Sequence, residues 1–257
     1  MCSQVVTGST GGLGKTIALF CVQSGARGVM ITGRCAERGA RVAFELSALR
    51  PDCLVVFQPC DVSKAGDCEA LCEAAIAAFG TVDGLVNCAA LCFPRGTLAD
   101  TSLELWNVMM STNLTAPFLL TQRLSAHMKS TGVRGSIVNI GSVAAHGGAP
   151  FIMAYSVTKG ALGVLTKNNA EELRPARVRV NQINMGWCLT DAENTGQTAE
   201  NGADWLAKAD ASSGIGRLLR PEDTASSVIH LLSDASSMIT GAIIDISPDV
   251  IPGMMPC

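Results

Sequence analysis

The first 24 residues constrain the fold more than any other stretch. A short apolar run, Gln4-Val5-Val6-Thr7, is followed at once by a glycine-rich segment over residues 8–14 and then by a helical pattern over residues 15–24. Strand, glycine-rich turn and helix in this order are typical of a dinucleotide-binding start, because glycines let the backbone approach a pyrophosphate at the helix N-terminus. A tight turn with nothing bound is the alternative interpretation.

The rest of the chain alternates between strand and helix patterns. Further apolar runs occupy residues 28–32, 54–57, 82–87, 136–140, 177–184 and 242–246. This alternation predicts an α/β fold with a single-domain, Rossmann-like, doubly wound parallel sheet of seven strands and helices on both faces. We expect residues 1–257 to form one dinucleotide-binding and catalytic domain, with residues 185–215 as a substrate-binding lid loop within it.

Composition excludes several classes of partner. With 19 basic and 22 acidic residues and no basic block, the sequence predicts neither a nucleic-acid nor a membrane partner. No basic stretch leads into a long apolar run at the start, so a cytoplasmic location is expected. The eleven cysteines lack Cys-x-x-Cys spacing and nearby histidines, so we expect free thiols and no metal site. A charged content of only 16% favours burial of apolar surface in an oligomer.

The end of the second strand bears on the choice of nucleotide. In a dinucleotide site this position faces the adenosine ribose, where an acidic side chain would bind the free 2′-hydroxyl of NAD. Here Gly33 is followed by Arg34, whose planar guanidinium suits a phosphate and favours NADP, with NAD as the alternative. Arg34 as a surface residue capping the next helix is the other interpretation. Asp61, after the third strand, suits either the adenine amino group or a helix cap.

Four polar residues in the second half offer groups to one pocket. Tyr155 and Lys159 are four residues apart in a helical pattern and project from one face. Ser142 follows the fifth apolar run, and Asn113 lies one turn before Pro117, where a kink would free a backbone carbonyl. Taken singly, each of these residues also fits an ordinary surface or helix position.

Together these motifs resemble the short-chain dehydrogenase/reductase family of the compact, single-domain kind. Thr7-Gly-x-x-x-Gly12-x-Gly14, Asn87-x-Ala89, Asn113, Ser142 and Tyr155-x-x-x-Lys159 fall in family order at family spacing over nearly the whole chain. The resemblance implies an NAD(P)-dependent oxidoreductase, with NADP favoured, that acts on a secondary alcohol or ketone such as a sugar, a polyol or another small carbonyl compound. It also implies a homotetramer.

The resemblance assigns roles residue by residue. Tyr155 would exchange a proton with the substrate, its phenol pKa lowered by Lys159, while Ser142 binds the substrate oxygen and Asn113 holds a water. The implied substrate residues are Ser142, Tyr155, Trp187 and His146, although a histidine in a loop is also compatible with a structural role. The implied cofactor residues are Gly8, Ser9, Thr10, Gly12, Leu13, Gly14, Arg34, Asp61, Val62, Asn87, Ala89, Tyr155, Lys159, Gly186 and Thr190.

One departure and two competing functions follow. Met185-Gly186 stands where the family usually has Pro-Gly, so we expect a more flexible turn there. A non-catalytic dinucleotide sensor or scaffold of the same fold has little reason to keep the proton-transfer residues. A nucleotide-sugar epimerase or dehydratase would need a larger C-terminal substrate domain than the roughly 70 residues after the sixth strand provide.

Overall fold

A computed structural model describes residues 2–248 of the chain. The seven strands form one parallel sheet in the order β3-β2-β1-β4-β5-β6-β7, which confirms the predicted Rossmann-like architecture. Residue 1 and residues 249–257, the two ends of the expected domain, lie outside the described residues. The strands are β1 Ser3–Val6, β2 Gly28–Gly33, β3 Leu54–Pro59, β4 Gly84–Asn87, β5 Ser136–Ser142, β6 Arg179–Met185 and β7 Ile243–Ile246.

Helices cover both faces of this sheet. On one face α1, α2 and α9 bury residues such as Ile17, Leu46 and Val228. On the other face α3, α5 and α6 contribute a second cluster that includes Leu71 and Leu124. The helices are α1 Gly12–Gln23, α2 Ala36–Leu49, α3 Ala65–Phe79, α4 Leu103–Met110, α5 Ala116–Thr131, α6 Met153–Leu173, α7 Asp191–Asn201, α8 Trp205–Ser212 and α9 Pro221–Leu232.

Every cysteine within residues 2–248 is a free thiol, and no cluster of three or more metal-binding side chains occurs in that range. Among the same residues, no helix has the length and apolar character needed to cross a bilayer. The cytoplasmic location stays a prediction.

The long amphipathic pattern around Asn113 is interrupted. A π-helical turn, Ser111–Thr115, separates α4 from α5, and Pro117 is the second residue of α5. Proline has no N–H to donate to the carbonyl four residues earlier, so the regular helical hydrogen bond cannot form at this point. The irregularity predicted from the proline is therefore present, as a widened turn.

The stretch expected to be an irregular lid contains a helix. Thr190 caps α7, because its Oγ1 accepts a hydrogen bond from the Glu193 N–H at 3.2 Å. Acidic residues in the first turn interact favourably with the positive end of the helix dipole. The stretch expected as a loop over residues 185–215 is therefore helical over Asp191–Asn201 and Trp205–Ser212. Thr190-x-x-Glu193 is a capping sequence, but only Gln197 of α7 is buried, so no apolar periodicity marked the helix.

A line of polar side chains, here called the polar ladder, crosses β4 to β7 under α6. Neighbouring members lie 2.7–3.1 Å apart. Its inner members are at most 1% exposed, so in a buried sheet these amides satisfy one another. The members, in spatial order, are Asn87, Asn139, Thr166, Gln182, Asn184, Asp245 and His146.

Candidate active site

The glycine-rich turn after β1 leaves the N-terminus of α1 open. Gly8 and Gly12 have φ values of +65° and +49°, which side chains rarely tolerate. A Cβ atom on Gly14 would lie 2.3 Å from the Gly8 carbonyl oxygen, so only glycine permits this close turn. Because the first N–H groups of a helix lack partners within the helix, this turn is suited to an anionic group.

Two hydroxyl side chains fix the position of the glycine-rich turn. Ser9 is buried, and its hydroxyl donates to the Val6 carbonyl at 2.6 Å and accepts from the Thr32 N–H at 2.9 Å. Ser9 therefore fixes the turn against β2, while its predicted contact with a cofactor stays a prediction. Thr7 Oγ1 accepts from the Ala89 N–H at 2.9 Å, which places Ala89 against the turn.

The predicted adenosine side is formed where β2, β3 and β4 end. Arg34 is exposed directly after β2, next to Thr10, whose Oγ1 would lie 2.7 Å from a Cβ on Gly33. Asp61 accepts from the Ser63 N–H and hydroxyl at 3.1 and 2.7 Å, and these bonds lower its pKa. Lys64, rather than Ser63 or Asp61, is the N-cap of α3. One small cavity is lined by Thr7, Val62, Asn87 and Ala89, among others.

Ser142, Tyr155 and Lys159 meet at the carboxyl end of β5. Lys159 is 3% exposed, donates from Nζ to the Ile140 carbonyl at 2.7 Å, and lies 5.6 Å from the centre of the Tyr155 ring. The Ser142 hydroxyl accepts from the Ala144 N–H at 3.2 Å and is near enough to the phenol of Tyr155 to lower the pKa of that phenol. The three residues that the sequence separates by up to 17 positions thus share one pocket.

Burial shifts the pKa values of Tyr155 and Lys159 in opposite directions. Desolvation raises the pKa of Tyr155, the nearby Cys92 raises it further, and the hydrogen bond from Ser142 lowers it. Desolvation also lowers the pKa of Lys159 to about 8, against a smaller opposing effect of Cys88 and Cys92. Burial is the larger effect on the phenol in this structure, and the expected lowering of its pKa by Lys159 stays a prediction.

Asn113 holds the site together through its side chain. It is fully buried; its Oδ1 accepts from the Leu91 N–H at 2.7 Å, and its Nδ2 donates to the Leu91 carbonyl at 2.9 Å. The same Nδ2 lies 3.2 Å from the Thr158 hydroxyl, next to Lys159 in α6. Asn113 thus ties the loop after β4 to the catalytic helix. The sequence pattern suggested a role only for its backbone carbonyl.

Comparison with known proteins identifies the family. A sequence profile described as enoyl-(acyl carrier protein) reductase matches residues 8–247. Carbonyl reductase (NADPH) 2 of Sus scrofa is 34% identical over 238 residues, which cover 93% of this chain and 91% of that protein. The chain belongs to the short-chain dehydrogenase/reductase family.

Two further comparisons agree with this assignment. An uncharacterized oxidoreductase of Methylorubrum extorquens is 32% identical over 246 residues, 96% of each chain. The solved structure of a short-chain type dehydrogenase/reductase from Mycobacterium ulcerans superposes with a TM-score of 0.87 at 31% identity, covering 95% of this chain and 88% of that one. This protein is therefore an oxidoreductase of that family with the family's sheet and helix order.

Met185-Gly186, where the family usually has Pro-Gly, lies at the end of β6. Met185 is the last residue of β6 and pairs with Ile246, and the Gly186 N–H donates to the Ile246 carbonyl at 2.7 Å. These contacts tie the segment to β7, and the greater flexibility expected for it stays a prediction. Thr190 follows at 3.6 Å from where a Cβ on Gly12 would lie, so the cap of α7 adjoins the glycine-rich turn.

The two remaining predicted substrate residues are engaged within the protein. The Trp187 indole N–H donates to Glu193 Oε1 at 2.8 Å, and its ring lies 5.7 Å from that of Trp205. His146 Nε2 lies 2.9 Å from Asp245 Oδ2 at the end of the polar ladder. Their contact with substrate stays a prediction. Glu193, which orients Trp187, was recognisable in the sequence only as the fourth residue of the capping pattern.

Proposed function

We propose that the protein interconverts a secondary alcohol and a ketone, with NADP as its cofactor. The observation that supports this most is the meeting of Ser142, Tyr155 and Lys159 at the sheet edge, beside the open glycine-rich turn. The porcine relative, by its name, reduces carbonyl compounds with NADPH. We include sugars, polyols and other small carbonyl compounds in the substrate range.

The residues around the turn fit a nicotinamide dinucleotide. The glycine-rich turn leaves room for a pyrophosphate. Gly8 and Gly12 have positive φ, and the backbone approaches closely at Gly14, so side chains at these positions would disturb the turn. The exposed guanidinium of Arg34 suits the 2′-phosphate of NADP. In our proposal the nicotinamide, when bound, supplies or accepts the hydride. Its holding residues are Gly8, Ser9, Thr10, Gly12, Leu13, Gly14, Arg34, Asp61, Val62, Asn87, Ala89, Tyr155, Lys159, Gly186 and Thr190.

The protein's own residues then manage the substrate oxygen. Ser142 donates a hydrogen bond to that oxygen and stabilises the charge that develops on it. Tyr155, kept protonated by burial, gives its proton to the oxygen when a ketone is reduced and takes it back in the reverse direction. Lys159 provides the positive charge that the phenolate needs in between, and Asn113 positions the helix that carries both.

Tyr155→Phe tests this assignment. The variant removes the transferable proton and keeps the ring, so turnover should fall by a factor on the order of 10²–10⁴ while NADPH binding is retained. Turnover would be followed by NADPH absorbance over a panel of ketones, and binding by NADPH fluorescence. Unchanged turnover would refute the role of Tyr155. NADPH binding without turnover of any compound by the unaltered protein would favour a non-catalytic sensor.

We also infer a homotetramer of single-domain chains. Large apolar side chains stay exposed along the helices α4 to α6, where a further subunit would cover them. Light scattering at micromolar concentration should give four times the chain mass, and a monomer mass would contradict the inference. The exposed residues are Leu103, Val108, Phe118, Val157 and Val164.

A further inference from the structure

The loop after β4 carries an arginine beside the catalytic pocket. The guanidinium of Arg95 lies 4.8 Å from the centre of the Phe93 ring, which supports it from one side. Burial raises the pKa of the neighbouring Cys92 thiol to about 11, Glu193 raises it further, and both Arg95 and Lys159 lower it. Cys92 also acts on the phenol of Tyr155. The backbone places this loop at the start of α6, because Gly96 donates to the Phe151 carbonyl at 3.0 Å and accepts from the Met153 N–H at 3.3 Å, two residues before Tyr155.

The hydrogen-bonding capacity of Arg95 is largely unused. Its side chain is only 27% exposed, and its Nε is buried without a hydrogen-bond partner among residues 2–248. The nearest carboxylate oxygens, on Glu193 and Glu200, lie 3.5 and 3.3 Å from its terminal nitrogens. Charge-assisted hydrogen bonds normally measure about 2.7–2.9 Å, so both contacts are long. A guanidinium has five N–H donors, and this one makes a single long hydrogen bond.

Glu193 is committed to other donors. Its Oε1 accepts from the indole N–H of Trp187 and from Gln197 Nε2, each at 2.8 Å, which makes Arg95 the most distant of its three partners. The Glu200 side chain is 45% exposed, so water screens its attraction for Arg95. A mostly buried cation with unused donors is costly to maintain unless another acceptor arrives.

We propose that Arg95 binds a carboxylate of the substrate, so the protein acts on a hydroxy acid or oxo acid. A planar guanidinium can donate two parallel hydrogen bonds to one carboxylate, and the Phe93 ring holds the guanidinium of Arg95 in place. A carboxylate ligand gives Arg95 short hydrogen bonds in place of its long contacts with Glu193 and Glu200. The inference rests on the proposed oxidoreductase function and defines its substrate class.

Paired substrates test the role of Arg95. NADPH oxidation would be measured with 3-oxo acids of increasing length and with their methyl esters. In the unaltered protein kcat/KM should favour the acid at least about tenfold, which is the scale expected for a charged hydrogen-bonded pair. Arg95→Met should lower the acid's kcat/KM and leave the ester's, so the ratio approaches one. Arg95→Lys keeps the charge without the fork and should give an intermediate ratio.

The control is Arg174→Met, which removes an exposed arginine from its 2.8 Å pair with Glu171 and should leave the ratio unchanged. A preference of the unaltered protein for the ester, or an unchanged ratio in Arg95→Met, would overturn the proposal. An equal loss of acid and ester turnover would also overturn it, since Arg95 would then only hold α7 in place.

A binding measurement separates this proposal from the reaction. Butanoate and methyl butanoate, which lack the reacting carbonyl, would be titrated into the NADP-loaded protein by calorimetry. Binding of butanoate that Arg95→Met weakens at least about tenfold supports the anion site even if no oxo compound is turned over. Equal binding of acid and ester refutes the site even if the Tyr155→Phe result supports the oxidoreductase. Circular dichroism melts would confirm that each variant is folded.

Discussion

Removing the buried charge of Lys159 should stabilise the protein at neutral pH. The side chain is 3% exposed, and burial lowers its pKa from 10.5 to about 8. At neutral pH the amine is therefore still mostly charged in the folded chain, at a cost that the unfolded chain does not have. Lys159→Met keeps the length of the side chain and removes that cost. The variant should be inactive yet more resistant to urea.

The size of the effect follows from the two pKa values. A difference of 2.5 pH units (10.5 − 8) corresponds to about 3 kcal/mol of destabilisation by the charged lysine at pH 7. The hydrogen bond from the charged Nζ to the Ile140 carbonyl, about 1.5 kcal/mol, is lost in the variant, which leaves a net gain of about 1.5 kcal/mol. As the pH rises above 8, the folded chain loses the proton before the unfolded chain does. The advantage of the variant should shrink by about 2 kcal/mol between pH 7 and 9.5.

Urea unfolding at a series of pH values, at one protein concentration and without added nucleotide, measures this difference. The stability difference between the two proteins is compared across pH, so contributions that do not change with pH, such as the lost hydrogen bond, cancel. Lys167→Met, at an exposed position of the same helix, controls for the loss of one lysine. Stability curves for Lys159→Met and the unaltered protein that run parallel from pH 7 to 9.5 would refute the reasoning.

Three further predictions address the cofactor, the sheet and the lid. Arg34→Asp should reverse the preference of NADPH over NADH in binding titrations, because a carboxylate repels the 2′-phosphate; an unaltered protein that binds NADH more tightly would contradict this. Gly141→Ala should lower the free energy of unfolding in urea by about 1–3 kcal/mol, since its Cβ would lie 2.2 Å from Asn184 Oδ1, and Asn184→Ala should recover part of the loss. Thr190→Val should destabilise α7 by about 1 kcal/mol through loss of its cap, seen as faster hydrogen exchange over Asp191–Asn201; unchanged exchange would refute it.

The sheet was predictable because its sequence signals are local and strong. Most of its strands contain short runs of Val, Ile, Leu or Phe bounded by turn residues, and the glycine-rich segment fixes where α1 begins. Helix α7 escaped prediction since it buries almost none of its side chains and so shows no apolar period. The pairing of Met185 with Ile246 was not predictable for a related reason: the two residues are 61 positions apart, and no local pattern reveals their contact.

The candidate site, like the fold, was predictable only where its residues are close in sequence. Tyr155 and Lys159 are close in sequence, so their helical spacing predicts a shared face. Their charge states depend on burial by distant segments, which a spacing of four residues does not reveal. The hydrogen bonds of Asn113 to Leu91 join residues 22 positions apart and likewise have no sequence signature. The substrate side depends most on such contacts, so the unused donors of Arg95 could not be predicted from its neighbours in the sequence.

The polar ladder has a direction. The amides donate toward β7 from Asn87 to Asn139 and on to Thr166, and again from Gln182 to Asn184 and to the Asp245 carboxylate. Between these two parts, Thr166 Oγ1 lies 2.8 Å from the Leu162 carbonyl and 3.1 Å from Gln182 Oε1, so its single proton goes to the nearer carbonyl within α6. A carboxylate only accepts, so Asp245 sets the orientation of Asn184 and Gln182, while the oxygen of Thr166 accepts from Asn139 and sets the orientation of Asn139 and Asn87. The last of these, Asn87, is left with its carbonyl oxygen buried and unpaired within residues 2–248. A hydroxyl on α6, acting through Asn139, thus determines which atom Asn87 can offer to a ligand at the end of β4.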